Sequence, residues 1–269
     1  MDINEQTGNP IVRLRAFRAI DDPASCALFL EGHEHVLTSI GVTKVTSSKD
    51  EWTRNPAAFV LIVESLDKTK VYGGARVHVA GGTEALPIEQ ATGSMDKTVF
   101  DLVWQYAQQG TGEICGLWNS REISGYGIGS IFLTRAAVAI SSQIGLTSLF
   151  ALCAPYTVKL AECVGYRIDP RIGNNGTFYY PKIDLLATTM VLEDIAGLSG
   201  AAEEDRNAIM LLRENLTQNR EEILRKKKID IHYELKIDHL DQWDLQQVIE
   251  NVRKNQPQTD TTGKTLNIM

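Results

Sequence analysis

Apolar residues recur along this chain with periods near 2 and near 3.6, and the switches between the two mark out its elements. Residues 11–20 set Val12, Leu14 and Phe17 against Arg13, Arg15 and Arg18, the pattern of a strand with one wet face. Asp21-Asp22-Pro23 then offers a cap and a first-turn proline. The helix it starts is expected to run to about Gly41, with Cys26, Leu28, Phe29, Val36 and Leu37 facing inward. Residues 57–65 and 70–80 read as paired strands, and 96–109 as an amphipathic helix. A short apolar strand from Glu113 leads through a polar loop into a helix over 130–145, a strand over 147–153 and a short helix from Pro155. After the turn-rich segment 170–176, the β-like run 177–191 is expected to break at Pro181 into two strands that close a sheet as a hairpin.

The C-terminal quarter has a different character. Residues 201–228 read as one charged helix with a narrow apolar stripe (Ile209, Leu211, Leu212, Leu216, Ile223, Leu224). Such a stripe suits a helix lying on the body of the protein or on a second copy, which leaves a homodimer open. The basic run Arg225-Lys226-Lys227-Lys228 reads as its solvated last turn, complementing the helix dipole. A strand over 229–237 and a helix over 240–253 follow. Residues 1–10 and 256–269 are polar and read as a flexible N-terminus and a disordered tail.

With 269 residues, 43% of them apolar, the chain is able to bury one large core or two modest ones. No apolar run approaches the roughly 18 residues of a membrane span, and no basic-then-apolar leader opens the chain; a soluble, cytoplasmic protein is expected. A net charge of −7 argues against nonspecific nucleic-acid binding, which needs a basic footprint. Cys26, Cys115, Cys153 and Cys163 lie in apolar segments without CxxC spacing, so reduced core cysteines are expected rather than a zinc site or disulfide framework. His33 and His35 fall on different faces of their helix, which argues against a metal pair.

The chemistry concentrates in residues 113–129, where a strand feeds a loop with glycines at 125, 127 and 129 just before a helix. Free amides and the positive end of a helix converge in such a loop and favour a phosphate or pyrophosphate. A Walker loop would need a lysine that is absent. A dinucleotide fingerprint would need Gly-x-Gly-x-x-Gly and an acid after the next strand, and neither is present, so a nicotinamide oxidoreductase rests on alternating glycines alone. A third pattern fits better. Ser124-Gly125-Tyr126-Gly127-Ile128-Gly129 matches Gln/Arg-x-x-Gly-x-Gly/Ala at every position except the first. The segment therefore resembles the acyl-CoA loop of the GNAT acyltransferase superfamily.

The resemblance continues on both sides. Glu113-Ile114 and Leu117 fall where that family's fourth strand reads Glu-Ile-x-x-Leu, and Val164-Gly165-Tyr166 resembles its closing Gly-Phe/Tyr turn. Upstream, Gly73-Gly74-Ala75-Arg76-Val77, followed by Leu86-Pro87, is similar to the third strand of acyl-homoserine-lactone synthases and N-acyl amino acid synthases. The fold implied is α/β in the α+β sense: a mixed, mostly antiparallel central sheet flanked by helices over 11–195, with a helix–strand–helix extension over 196–255.

The activity implied is N-acyl transfer from acyl-CoA, acetyl-CoA included, or from an acyl carrier protein to an amine of a small molecule, with no metal. By the same resemblance Glu113 would act as general base, and the amide of Asn119 would polarise the thioester carbonyl. Leu117 and Trp118 would line the pantetheine. The pyrophosphate would sit on the amides of Gly125, Tyr126, Gly127, Ile128, Gly129 and Ser130. Arg76 is the expected partner of Glu113, as a structural pair or as a joint grip on an acceptor carboxylate. Two departures stand out: Ser124 replaces the Gln/Arg of the loop, and Ala161 stands where many acetyltransferases carry a tyrosine that protonates the leaving thiolate. They keep open a second reading, a non-catalytic CoA-binding or sensing module on the same fold. Beyond Trp52 the N-terminal residues typical of lactone synthases are not recognisable, so a true lactone synthase is not expected.

Overall fold

The computed structural model describes residues 1–39, 41, 50–182 and 184–254. In chain order the elements are β1 (Asp2–Ile3), β2 (Pro10–Arg18), α1 (Pro23–Ser39), β3 (Ala58–Glu64), β4 (Val71–Val79), α2 (Pro87–Thr92), α3 (Thr98–Ala107), β5 (Thr111–Asn119), α4 (Leu133–Gln143), β6 (Ser148–Cys153), α5 (Val158–Cys163), β7 (Arg167–Ile168), β8 (Thr177–Tyr179), β9 (Leu186–Leu192), α6 (Glu203–Glu214), β10 (Thr217–Leu224), β11 (Lys227–Glu234) and α7 (Leu245–Lys254). The strands form one sheet in the order β10-β11-β2-β3-β4-β5-β6-β9-β7, with β1 paired to β2 and β8 to β9. Pairing is antiparallel except at β11/β2 and β5/β6, so the sheet is mixed and mostly antiparallel, as the resemblance implied.

Helices cover both faces. β3 is buried along its whole length because it is covered twice. Phe59, Leu61 and Val63 join the core under α4, and Val60 and Ile62 pack with Phe29 of α1. α4 is buried from Leu133 to Ser141, which places it at the centre of its layer with α6 beside it. Gly74 lets α1 close on β4: a side chain there would put its Cβ 2.5 Å from the Phe29 ring. The break at Pro181 is where the sequence placed it, and β8 and β9 pair antiparallel across it. Among the described residues no helix is long and apolar enough to cross a membrane.

The C-terminal quarter departs from the sequence reading. The helix expected over 201–228 stops at Glu214, and Thr217 begins a strand that forms a hairpin with β11. The reason is chemical. The half of β10 that turns inward is Gln218, Arg220, Glu222 and Leu224, so its alternation is not an alternation of hydrophobicity. Glu222 is satisfied by the Tyr233 hydroxyl at 3.0 Å and by Arg220 at 3.4 Å. Arg225 and Lys226 take positive φ values of 49° and 71°, the backbone of a tight hairpin turn. The basic run is therefore a hairpin tip and not a helix end. β11 then inserts parallel to β2, setting Ile231 against Val12.

Smaller differences follow the same logic. The helix expected over 240–253 divides: Leu240–Gln242 is a separate turn, and Trp243 breaks away to donate from Nε1 to the Ile144 carbonyl at 3.0 Å. Residues 1–10, read from sequence as loose, place β1 on β2, and Asn4 and Thr7 each donate to Asp230 at 2.6 Å. The tail 256–269 lies outside the described residues.

Candidate active site

β5 and β6 run together only where Thr111, Gly112 and Glu113 face Ser148, Leu149 and Phe150. β6 carries on paired to β9 and β5 to β4, and the two strands part company. A bulge drives the divergence. Gly74 faces Trp118 and Arg76 faces Cys115, so Gly116 and Leu117 together oppose the single residue Ala75. Such a bulge bends its strand. Gly116 holds φ at +57°, and a side chain there would set its Cβ 2.9 Å from Nε and Nη2 of Arg76.

Between the parted strands lies a cavity of about 400 Å³ walled by Ile114 to Asn119 of β5, Ala151 to Ala154 at the end of β6, and His33, Val36 and Leu37 of α1. That volume lies in the range of small-molecule sites, and the walls are mainly apolar. Trp118 forms the α1 side. Its ring meets Phe29 edge-on at 5.7 Å and lies nearly parallel to His33 at 6.4 Å. Leu117 belongs to the opposite wall and packs on the core beneath α4.

Asn119 ends the open strand. The Ser120 amide donates to the Tyr72 carbonyl of β4 at 2.7 Å. By the alternation of an antiparallel ladder, the preceding amide, that of Asn119, turns the other way, toward the cavity. Asn119 also explains the third glycine of the loop: a Cβ at Gly129 would lie 2.0 Å from Asn119 Oδ1. Gly125 and Gly127 have a different task, holding φ at +82° and +84°. The loop passes through a wide turn over Ile128–Phe132 into α4.

The loop amides divide into two sets. Tyr126 N donates to Ile123 O and Ser130 N to Gly127 O, both at 3.3 Å, so these two are committed to local turns and drop out of the expected cradle. Among the described residues the amides of Gly125, Gly127, Ile128 and Gly129 have no protein acceptor. Open backbone N–H groups in a turn of this kind are able to bind an anion. Ser124 adds no charge to them. A cation does arrive from elsewhere: Lys227, at the start of β11, places Nζ 3.3 Å from the Ser124 carbonyl and 4.6 Å from the centre of the Tyr126 ring.

Glu113 is 2% exposed and lies in the wall of the sheet behind the cavity, not on its surface. Its Oε2 accepts a 2.7 Å bond from the Ile88 amide at the start of α2. Burial, with a lesser push from the nearby Glu89, raises its pKa to about 8, against the pull of the Ile88 amide and Arg76. Glu89 is itself raised to about 7 by burial. Arg76 is fully enclosed, its guanidinium 4.4 Å from the Trp52 ring and 5.6 Å from that of Phe29, and it does not line the cavity either. Enclosure lowers its pKa.

Two further wall residues escaped the sequence reading. His33 is buried, and burial followed by the charge of Arg76 lowers its pKa to about 4, which leaves a neutral imidazole near pH 7. Its spacing of four from Phe29 was the available signal, since that places both on one helix face. His35, by contrast, is exposed. Tyr166 of the closing turn contributes its ring to the wall; its hydroxyl is enclosed, and burial holds its pKa well above the usual value. Ala161 lines the cavity beside it and offers no acid.

No family model matches the chain, and no curated protein matches it in sequence. Solved structures do match in shape. An N-acyl amino acid synthase from uncultured soil microbes, FeeM, superposes with a TM-score of 0.53 at 14% identity, over 72% of this chain and 96% of its own. A CoA-dependent acyl-homoserine lactone synthase, BjaI, solved with SAM and isopentyl-CoA, superposes with a TM-score of 0.50 at 10% identity, over 90% of this chain and 99% of its own. The mixed sheet that parts beside a glycine loop, together with these two superpositions, establishes that the chain has the GNAT-like fold shared with acyl-transferring synthases.

Proposed function

We propose that the protein is an N-acyltransferase that moves an acyl group from acyl-CoA, or from an acyl carrier protein, to an amine of a small molecule. One observation carries this reading: an apolar cavity opens between β5 and β6, and it is met at Gly129 by a glycine loop whose amides at Gly125, Gly127, Ile128 and Gly129 have no acceptor among the described residues. A thioester fits that layout from end to end. Its phosphates meet the amides of Gly125, Gly127, Ile128 and Gly129. Its pantetheine runs along Leu117 and Trp118, and its carbonyl lies at the Asn119 amide. The apolar wall of Val36, Leu37, Leu152 and Leu160 receives an acyl chain longer than acetyl.

In the reaction the neutral amine attacks the thioester carbonyl, and the Asn119 amide stabilises the negative charge that develops on oxygen. The amine's proton passes to Glu113. Because Glu113 sits behind the wall, that transfer runs through an intervening donor such as water. The C–S bond then breaks, and the thiolate takes its proton from solvent, since Ala161 supplies none. Incubation with acyl-CoAs of graded length and a pool of amines, read by mass spectrometry, tests the proposal. An acylated amine is expected. No product from the acyl-CoAs or from acyl carrier protein loaded with the same chains, together with no CoA binding, rejects it.

The enclosure of Glu113 by the Ile88 amide favours one alternative, a CoA-binding or sensing module without turnover. CoA binding with no product across a broad set of acceptors would select it.

A further inference from the structure

The loop motif departs from its family pattern at Ser124, where a Gln or Arg side chain would otherwise support the phosphate. The hairpin tip brings a cation to the same place. Strand periodicity puts Lys227 on the face shared by Ile229 and Ile231, both buried in the core beneath α4. Leu224, the residue paired with Lys227 across the hairpin, reaches within 3.0 Å of where a Cβ on Gly127 would stand. The tip is thus docked on the glycine loop. Lys227 Nζ lies 3.1 Å from the Cβ position of Gly125 and 3.3 Å from the Ser124 carbonyl, which occupies one of its three donors. Competing charges nearby are already paired: Lys228 holds Glu221 at 2.9 Å on the other strand face, and Glu122 is held by Lys70 at 2.7 Å.

We propose, resting on the acyl-CoA reading above, that Lys227 of the C-terminal hairpin is a phosphate-binding residue for the donor. It would supply in space the positive charge that the loop lacks in sequence. The consequence is selective: Lys227 acts on donors that carry phosphate and not on the acyl-transfer step.

Kinetics with full-length protein test this, using acyl-CoA and the matching phosphate-free acyl-pantetheine. K227M, which keeps the aliphatic stem, is expected to raise KM for acyl-CoA about tenfold, the size of one lost charge-assisted contact. K227E should raise it further and K227R should retain most of the affinity, with kcat and the KM for acyl-pantetheine unchanged throughout. K228M serves as the control and should match wild type. An unchanged KM for acyl-CoA in K227E overturns the assignment. So does an equal rise for both donors, the mark of a merely structural latch. If wild type neither binds CoA nor acylates an amine, the acyltransferase reading itself falls and takes this assignment with it.

Discussion

Glu113 and Ile88 are joined by a 2.7 Å bond from the Ile88 amide to the Glu113 carboxyl, which ties the middle of the sheet to the first turn of α2. Burial raises the pKa of this carboxyl to about 8, and the bond from Ile88 pulls against that rise. Folding therefore favours the protonated acid. The stability linked to this group is fully present below its unfolded value, near 4.5, and is lost as pH rises through about 8. Glu89 acts in the same direction up to about 7. Glu113→Gln imitates the protonated form and still offers an acceptor to Ile88. The variant should match wild type in thermal stability at pH 4 and exceed it above pH 8, by several degrees. Melting curves across that range decide the matter; parallel curves would mean the carboxyl is not the titrating group.

The same group sets the expected rate profile. With Glu113 as base, kcat/KM should climb with pH through an apparent pKa of about 8. Glu113→Gln should lower kcat by about a hundredfold or more and leave CoA affinity intact. A variant that turns over at the wild-type rate would remove Glu113 from the mechanism.

Gly129→Ala places a methyl 2.0 Å from Asn119 Oδ1, so either the loop or the strand end must move. Both border the proposed phosphate and carbonyl positions. CoA at about a hundred times its dissociation constant should add about 2.7 kcal/mol to wild-type stability, and most of that protection should vanish in the variant. NAD(P) should protect neither protein. Protection by NAD(P) instead of CoA would revive the oxidoreductase reading.

Leu160 of α5 lines the cavity. Leu160→Trp should raise KM for long acyl-CoAs by at least about tenfold, the cost of denying a few methylenes their burial, and spare acetyl-CoA. Equal effects on both donors would place the acyl chain elsewhere.

The sequence by itself determined what is local. The strand, glycine loop and helix over 113–145 lie within one continuous stretch, so residue spacing exposed the loop, and the family resemblance showed its missing Gln/Arg; the break at Pro181 is just as local. It also placed Phe29, and with it the inner face of α1. Other features depend on segments far apart in the chain, and only the tertiary structure decided them. β10 passed for helix because its inward residues are polar, and their partners sit on a strand that pairs in turn with β2. Lys227 meets Ser124 across 103 positions. Glu113 is sealed by an α2 amide, and His33 is held neutral by burial and by Arg76. Periodicity reports which face of an element turns inward; it does not report what that face will meet, because the partner is chosen by packing of the whole chain.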